Sequence, residues 1–163
     1  MNDRVFLSPP HLTGKEIEYI KQALDSNYVA PLGPMVDAFE NAFCRYTGIH
    51  CAAAVNSGTA ALHLALKALD IGPTDTVWAA DHTFIGGISP VTYQKATLVL
   101  VDSDPAFFTI DTALLAHALK DAQKNDSLPK ALIVTDVYGQ CVDYQIIRKL
   151  CSEYGIYMIA DCA

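Results

Sequence analysis

The chain has 163 residues, 52% of them hydrophobic and only 18% charged, with 18 acidic side chains against 11 basic ones and a net charge of −7. A chain of this length and apolarity buries roughly 70% of the surface its unfolded form exposes, which excludes intrinsic disorder. The acidic balance, without any Lys/Arg cluster, removes the counterion-release and lipid-attraction terms, so no nucleic acid and no membrane are expected as partners.

In chain order, TGKEIEYIKQALDS carries Ile17, Ile20 and Leu24 at helical spacing, and Thr13 with Glu16 forms a capping-box pattern that predicts a helix start. After the irregular stretch NYVAPLGP, Pro34 suits a first helical turn, Val36, Phe39, Phe43 and Tyr46 line one face, and Gly48 predicts the stop. From residue 51 the pattern changes to short apolar runs, CAAAV, TVWAA, ATLVLV, ALIVTDV and IYMIA, all but the last followed by a helical period. The runs lack polar alternation and so predict strands covered on both faces of a parallel sheet. GTAALHLALKAL, DTALLAHALKDAQK and DYQIIRKLCSEYG have the length and spacing of crossover helices. The fold class is therefore α/β, a mainly parallel sheet covered by helices, with a helical segment at 1–50 and a partial α/β domain at 51–163. The last run, IYMIA, has no covering helix after it, so the sheet is expected to continue beyond residue 163.

The opening MNDRVFLSPPHL has no signal-peptide core and no apolar run reaches the ~18 residues of a membrane span, so a cytoplasmic location is expected. Cys44, Cys51, Cys141, Cys151 and Cys162 are odd in number, include no Cys-x-x-Cys pair and read as small buried hydrophobes. His11, His50, His63, His82 and His117 lack the short spacings of metal sites, so no metal is expected.

Ligands of open α/β sheets bind outside the carboxyl ends of the strands. Asp81, Asp102, Asp136 and Asp161 all fall there, either as turn and cap residues or as functional carboxylates. In AVNSGTAALHLAL a strand is expected to end at Val55 and a helix to begin near Thr59, so free backbone N–H groups with the Ser57 and Thr59 hydroxyls make an anion site suited to a phosphate. A plain Ser/Thr cap is the competing reading. Neither a dinucleotide nor a nucleoside-triphosphate glycine motif is present, and a nucleophile elbow is missing too. In DHTFIGGISPV, Phe84 lies just past a strand end, where it could cover a flat ligand or pack in the core.

The ordered motifs NYVAPLGP, VNSGTAAL, DHTFIGG, LVDSDPAFFTID, VYGQCVD and IADCA, spread over essentially the whole chain, resemble the N-terminal part of the DegT/DnrJ/EryC1/StrS family. The resemblance implies a fold-type I transferase using pyridoxal 5'-phosphate to aminate a nucleotide-linked keto sugar, with glutamate as amino donor and a homodimer as the working unit. The opening LSPPHLTGKE with NYVAPLGP is most similar to the branch aminating UDP-linked 4-keto-6-deoxy-N-acetylhexosamines. By the same resemblance, Gly58, Thr59 and Ala60 form the phosphate-binding turn, Phe84 stacks on the coenzyme ring, and Asp161 pairs with the pyridine nitrogen. Asp136 and Cys141 depart from the family, which more often has histidine and proline there. The family's Schiff-base lysine falls a few tens of residues beyond the Asp161 motif, and none of Lys15, Lys21, Lys67, Lys95, Lys120, Lys124, Lys130 or Lys149 lies in the matching context. Residues 1–163 alone are therefore expected to be inactive. The alternatives are a sugar dehydratase of the same family, a non-catalytic fragment, or an unrelated nucleotide-binding α/β module.

Overall fold

The computed structural model describes residues 4–6 and 9–163. Residues 1–3 and two positions of the opening LSPPHLTGKE motif, Leu7 and Ser8, lie outside the described residues. The chain forms two compact units, Met1–Ala54 and Val55–Ala163.

The first unit holds helices α1 (Glu16–Asp25) and α2 (Pro34–Thr47). Half of the expected capping box forms: the Glu16 carboxylate accepts the Thr13 N–H at 2.7 Å and the Gly14 N–H at 2.8 Å. These bonds hold its pKa down at about 2, chiefly through the Thr13 backbone. The reciprocal half is absent, because the helix begins later than the box requires: Lys15 is the N-cap and the Thr13 hydroxyl donates to Glu16. Pro34 opens α2, and Gly48, at φ 77°, closes it in the left-handed conformation that glycine adopts without steric cost. Neither helix buries a residue. Ile17, Ile20 and Leu24 on α1 and Phe39, Phe43 and Tyr46 on α2 all stand exposed.

The second unit runs α3 (Gly58–Ala68), β1 (Thr76–Ala80), α4 (Ile85–Tyr93), β2 (Thr97–Val101), α5 (Thr112–Lys124), β3 (Ala131–Thr135), α6 (Tyr144–Tyr154) and β4 (Tyr157–Asp161). The four strands pair in parallel in the order β2-β1-β3-β4. The fifth expected strand, residues 51–55, does not form. Its three alanines have weak strand preference and no described strand offers it an edge; the Ala54 N–H is taken instead by the Glu40 carboxylate at 2.7 Å.

Side-chain alternation in the two central strands builds two cores. Val77, Ala79, Ala131 and Ile133 pack with Leu62, Leu66 and Val91 on the α3/α4 face. Trp78, Ala80, Leu132 and Val134 pack with Leu115, Leu119, Ile147 and Cys151 on the α5/α6 face. Coverage of both faces is thus realised in β1 and β3, whereas β2 and β4 leave Val99, Leu100 and Tyr157 exposed. The cysteine expectation is corrected at the same time. Only Cys151 is buried, while Cys51, Cys141 and Cys162 are exposed because they lie in connections or at a strand end rather than within packed elements.

Aspartates set the helix starts: Asp111 accepts the N–H groups of Ala113 and Leu114, and Asp143 those of Gln145 and Ile146. At the amino ends of the central strands, Lys130 Nζ donates to the Asp70 carbonyl at 2.6 Å and to Asp75 at 3.2 Å. The Gly72 N–H and then Lys130 hold the Asp75 pKa below its ordinary 3.8. Stabilisation from this group is therefore complete above the ordinary carboxylate value and is lost as pH falls through the lowered one.

Two outcomes follow for urea unfolding. Ile133→Ala, which removes a fully buried side chain from the central strand β3, destabilises the chain by about 2–5 kcal/mol. Asp75→Asn flattens the loss of stability seen as pH falls below about 4 relative to the parent protein.

Candidate functional site

The sheet order reverses beside β1. The chain leaves β1 for β2 through α4 on one face, then returns past β1 to β3 through α5 on the other. In such a sheet the crevice opens outside the carboxyl ends of the strands flanking the reversal, here β1 and β3. Thr83, just past β1, and Thr135, the last residue of β3, join across it by a 3.1 Å hydroxyl–hydroxyl hydrogen bond.

Two adjacent glycines in the first turn of α4 define the floor of the crevice. A Cβ on Gly86 would lie 2.6 Å from Thr59 Oγ1 and 3.2 Å from the Phe84 ring, and one on Gly87 would lie 2.9 Å from Thr83 Oγ1 and 3.1 Å from Asp161 Oδ2. Thr59, Phe84 and Asp161, from the start of α3, the start of α4 and the end of β4, therefore converge on two consecutive residues. Since consecutive Cα atoms are about 3.8 Å apart, the Thr59 hydroxyl and the Asp161 carboxylate lie on the order of 10 Å from each other.

Ser57 caps α3, its hydroxyl accepting the Ala60 N–H at 3.2 Å, and the Ala61 N–H bonds the Ser57 carbonyl. Of the three positions expected at the anion turn, Ala60 thus has its amide engaged within the cap. The Gly58 and Thr59 amides stand in the first turn, where a helix has no internal acceptor for them. Phe84 is 79% exposed and lies against Gly86, so it is not a core residue.

The four strand-end aspartates separate by their hydrogen bonds. Asp81 accepts the Ser103 hydroxyl at 2.6 Å, which, with smaller help from the His82 backbone, lowers its pKa. Asp102 accepts the Ser103 N–H at 2.8 Å, and Asp136 accepts the Val142 N–H at 2.9 Å and the Tyr144 hydroxyl at 3.1 Å. These three tie loops together. Asp161 is half-buried, accepts only a 3.3 Å bond from the Ala163 N–H among the described groups, and sends its second oxygen toward Gly87. Sequence reasoning placed Phe84 and Asp161 on the rim but missed Thr83, Thr135 and the spacing role of the glycines. The signal for the latter was the Gly-Gly pair directly after a strand end, where missing side chains mark close approach.

Chemically, the crevice offers helix-start amides and a hydroxyl for an anion, an exposed aromatic face, and a carboxylate able to accept from a cationic N–H. Among the described residues no cluster of His, Cys, Asp or Glu could hold a metal ion, and no helix is long and apolar enough to cross a membrane.

The DegT/DnrJ/EryC1/StrS aminotransferase family matches residues 10–163. EpsN of Bacillus subtilis (strain 168), named as a pyridoxal phosphate-dependent aminotransferase, is 42% identical over the whole chain, which spans 42% of its length. GDP-perosamine synthase of Caulobacter vibrioides is 36% identical over 98% of the chain and 42% of its own length. The crystal structure of DesV from S. venezuelae, in complex with a ketimine intermediate, superposes with a TM-score of 0.80 at 33% identity over 89% of this chain and 37% of DesV. The chain thus spans about two fifths of the length of these relatives.

Gly86→Ala drives a methyl group into Thr59 Oγ1 and is expected to weaken pyridoxal phosphate binding at least roughly tenfold in an absorbance titration, the equivalent of about 1.4 kcal/mol. Gly72→Ala, where a Cβ meets nothing within 4 Å, leaves the affinity unchanged.

Proposed function

Because the chain belongs to the DegT/DnrJ/EryC1/StrS aminotransferase family, we propose that the protein is a pyridoxal phosphate-dependent aminotransferase that transfers an amino group from glutamate to the keto carbon of a nucleotide-linked sugar. The observation that carries this reading is the meeting of the Thr59 hydroxyl and the Asp161 carboxylate around Gly86 and Gly87. Bound pyridoxal phosphate supplies the electron sink that amino transfer needs. Gly58 and Thr59 hold its phosphate through their amides and the Thr59 hydroxyl, with Ala60 completing the turn. Asp161 holds a proton on the ring nitrogen, where a carboxylate beside a cationic N–H makes a charge-assisted bond. Phe84 covers one face of the ring and keeps water from it.

What supports the coenzyme fit is the glycine pair: without a Cβ at Gly86 or Gly87, the proposed anchors Thr59, Phe84 and Asp161 draw in to one place. No lysine of the second unit follows the carboxyl end of a strand. Lys67, Lys95 and Lys130 precede strands or end helices, and Lys120, Lys124 and Lys149 lie on α5 and α6. The reading therefore assigns coenzyme holding to residues 51–163, a helical segment to 1–50, and the reacting amine to a group outside residues 1–163. For the substrate, the opening LSPPHLTGKE with NYVAPLGP supports a UDP-linked 4-keto-6-deoxy-N-acetylhexosamine, handled by a homodimer.

Saturable binding of pyridoxal phosphate to residues 1–163, seen as a shift of its visible absorbance and not fixed to the chain by borohydride, is the expected result. Asp161→Asn weakens that binding at least roughly tenfold. Unsaturable binding, or equal affinity in the variant, overturns the reading.

A further inference from the structure

A cavity of about 370 Å³ opens on the same rim, lined by His82, Phe107, Phe108, Val137, Tyr138 and Gln140, residues that follow β1, β2 and β3. It borders the coenzyme crevice along the chain, since His82 immediately precedes Thr83. Its volume falls within the range of small-molecule sites. We propose that it is a subsite for the heteroaromatic base of a nucleotide. This inference rests on the nucleotide-linked substrate of the proposed function and adds the place where the base is held.

Three observations carry it. The first is the wall composition. His82 lies edge-on to Phe108 at 5.8 Å and 60°, and tilted to Tyr138 at 6.2 Å and 58°, so three rings surround the space at angles that leave faces for a fourth ring to stack on.

The second is the backbone that holds the rings. Phe108 has φ 58° and Tyr138 φ 50°, the left-handed region that bulky residues avoid. Around Tyr138 the reason is visible: Val137 and Gln140 exchange both backbone hydrogen bonds, and Tyr138 and Gly139, both at positive φ, form a two-residue turn between them. That turn favours Asn or Gly at its first position. Tyrosine there opposes the local preference, and at 69% exposure it buries too little to offset this by packing. Two aromatic residues kept at unfavourable backbone angles in the lining of one cavity match the pattern of a site that spends stability on recognition.

The third is polarity. The Phe108 carbonyl can only accept, so the 2.9 Å contact with His82 Nδ1 makes Nδ1 the donor and leaves Nε2 as the acceptor of the neutral ring. A base that presents a ring N–H, as uracil and guanine do, has a partner there. The Gln140 side chain adds an amide to the lining.

The test is calorimetric titration of the chain with UMP, GMP and ribose 5-phosphate, each repeated on Tyr138→Asn and Phe108→Asn, with pyridoxal phosphate titrated in parallel. A nucleotide is expected to bind at least tenfold tighter than ribose 5-phosphate. Both variants are expected to lose that advantage while keeping the parent's pyridoxal phosphate affinity, and Tyr138→Asn is expected to melt at or above the parent's Tm. Equal binding of nucleotides and ribose 5-phosphate overturns the proposal, as does full nucleotide affinity in either variant or a Tm lowered in Tyr138→Asn. Pyridoxal phosphate binding without base preference sinks this inference alone, and base preference without pyridoxal phosphate binding sinks the coenzyme reading instead.

Discussion

The second unit depends on one close approach. Gly86 and Gly87 let the start of α4 settle against the Thr59 hydroxyl on one side and the Asp161 carboxylate on the other, at separations that no Cβ would permit. Glycine in a helix costs about 1 kcal/mol relative to alanine, and interior proline about 3. The nine residues of α4 contain two glycines and Pro90, so the segment is a poor helix by itself. It is held by burial: Pro90 and Val91 are fully enclosed, the latter against the Val77 and Ala79 face of the sheet. The Ser89 hydroxyl returns a hydrogen bond to the Ile85 carbonyl at 2.7 Å, and the Gly87 N–H bonds the Phe84 carbonyl at 2.8 Å. Packing thus offsets a local cost whose return is the close meeting of three chain segments at the strand ends.

At the strand ends the polar groups divide into those that build loops and one that does not. Asp81, Asp102 and Asp136 each satisfy hydroxyls or amides of neighbouring turns, and the Thr83–Thr135 bond closes the floor. Asp161 is the exception, with one long backbone contact and its other oxygen facing the glycines. The same rim carries the aromatic cavity a few residues away, so the proposed coenzyme and base subsites share the segment from His82 to Gly87. A substrate joining a sugar to a nucleotide spans just such a pair.

Much of this was legible before any coordinates. Uninterrupted apolar runs marked the buried strands β1 and β3, helical periods marked α3, α5 and α6, and the Ser57–Thr59 segment marked a helix start. What escaped has physical causes. Residues 51–55 read as a strand because a run of small apolar residues cannot reveal whether an edge exists to pair with. Helix α4 was legible only as an unbounded helical period after TVWAA, because its composition argues against a helix and only tertiary burial overrides it. Cys51, Cys141 and Cys162 looked buried by composition, yet their connections stay in solvent. The role of the glycine pair needed the third dimension, since Thr59 and Asp161 stand about a hundred positions apart in the chain.

The pairing order carries one last consequence. Thr83 and Thr135 attach to β1 and β3, which are flanked on both sides, whereas Asp161 ends β4, whose outer edge has no partner among the described residues. The carboxylate therefore takes its position from a single strand pair, β3 with β4 in register from Ala131↔Tyr157 to Thr135↔Asp161, so whatever shifts that one register carries Asp161 toward or away from Gly87.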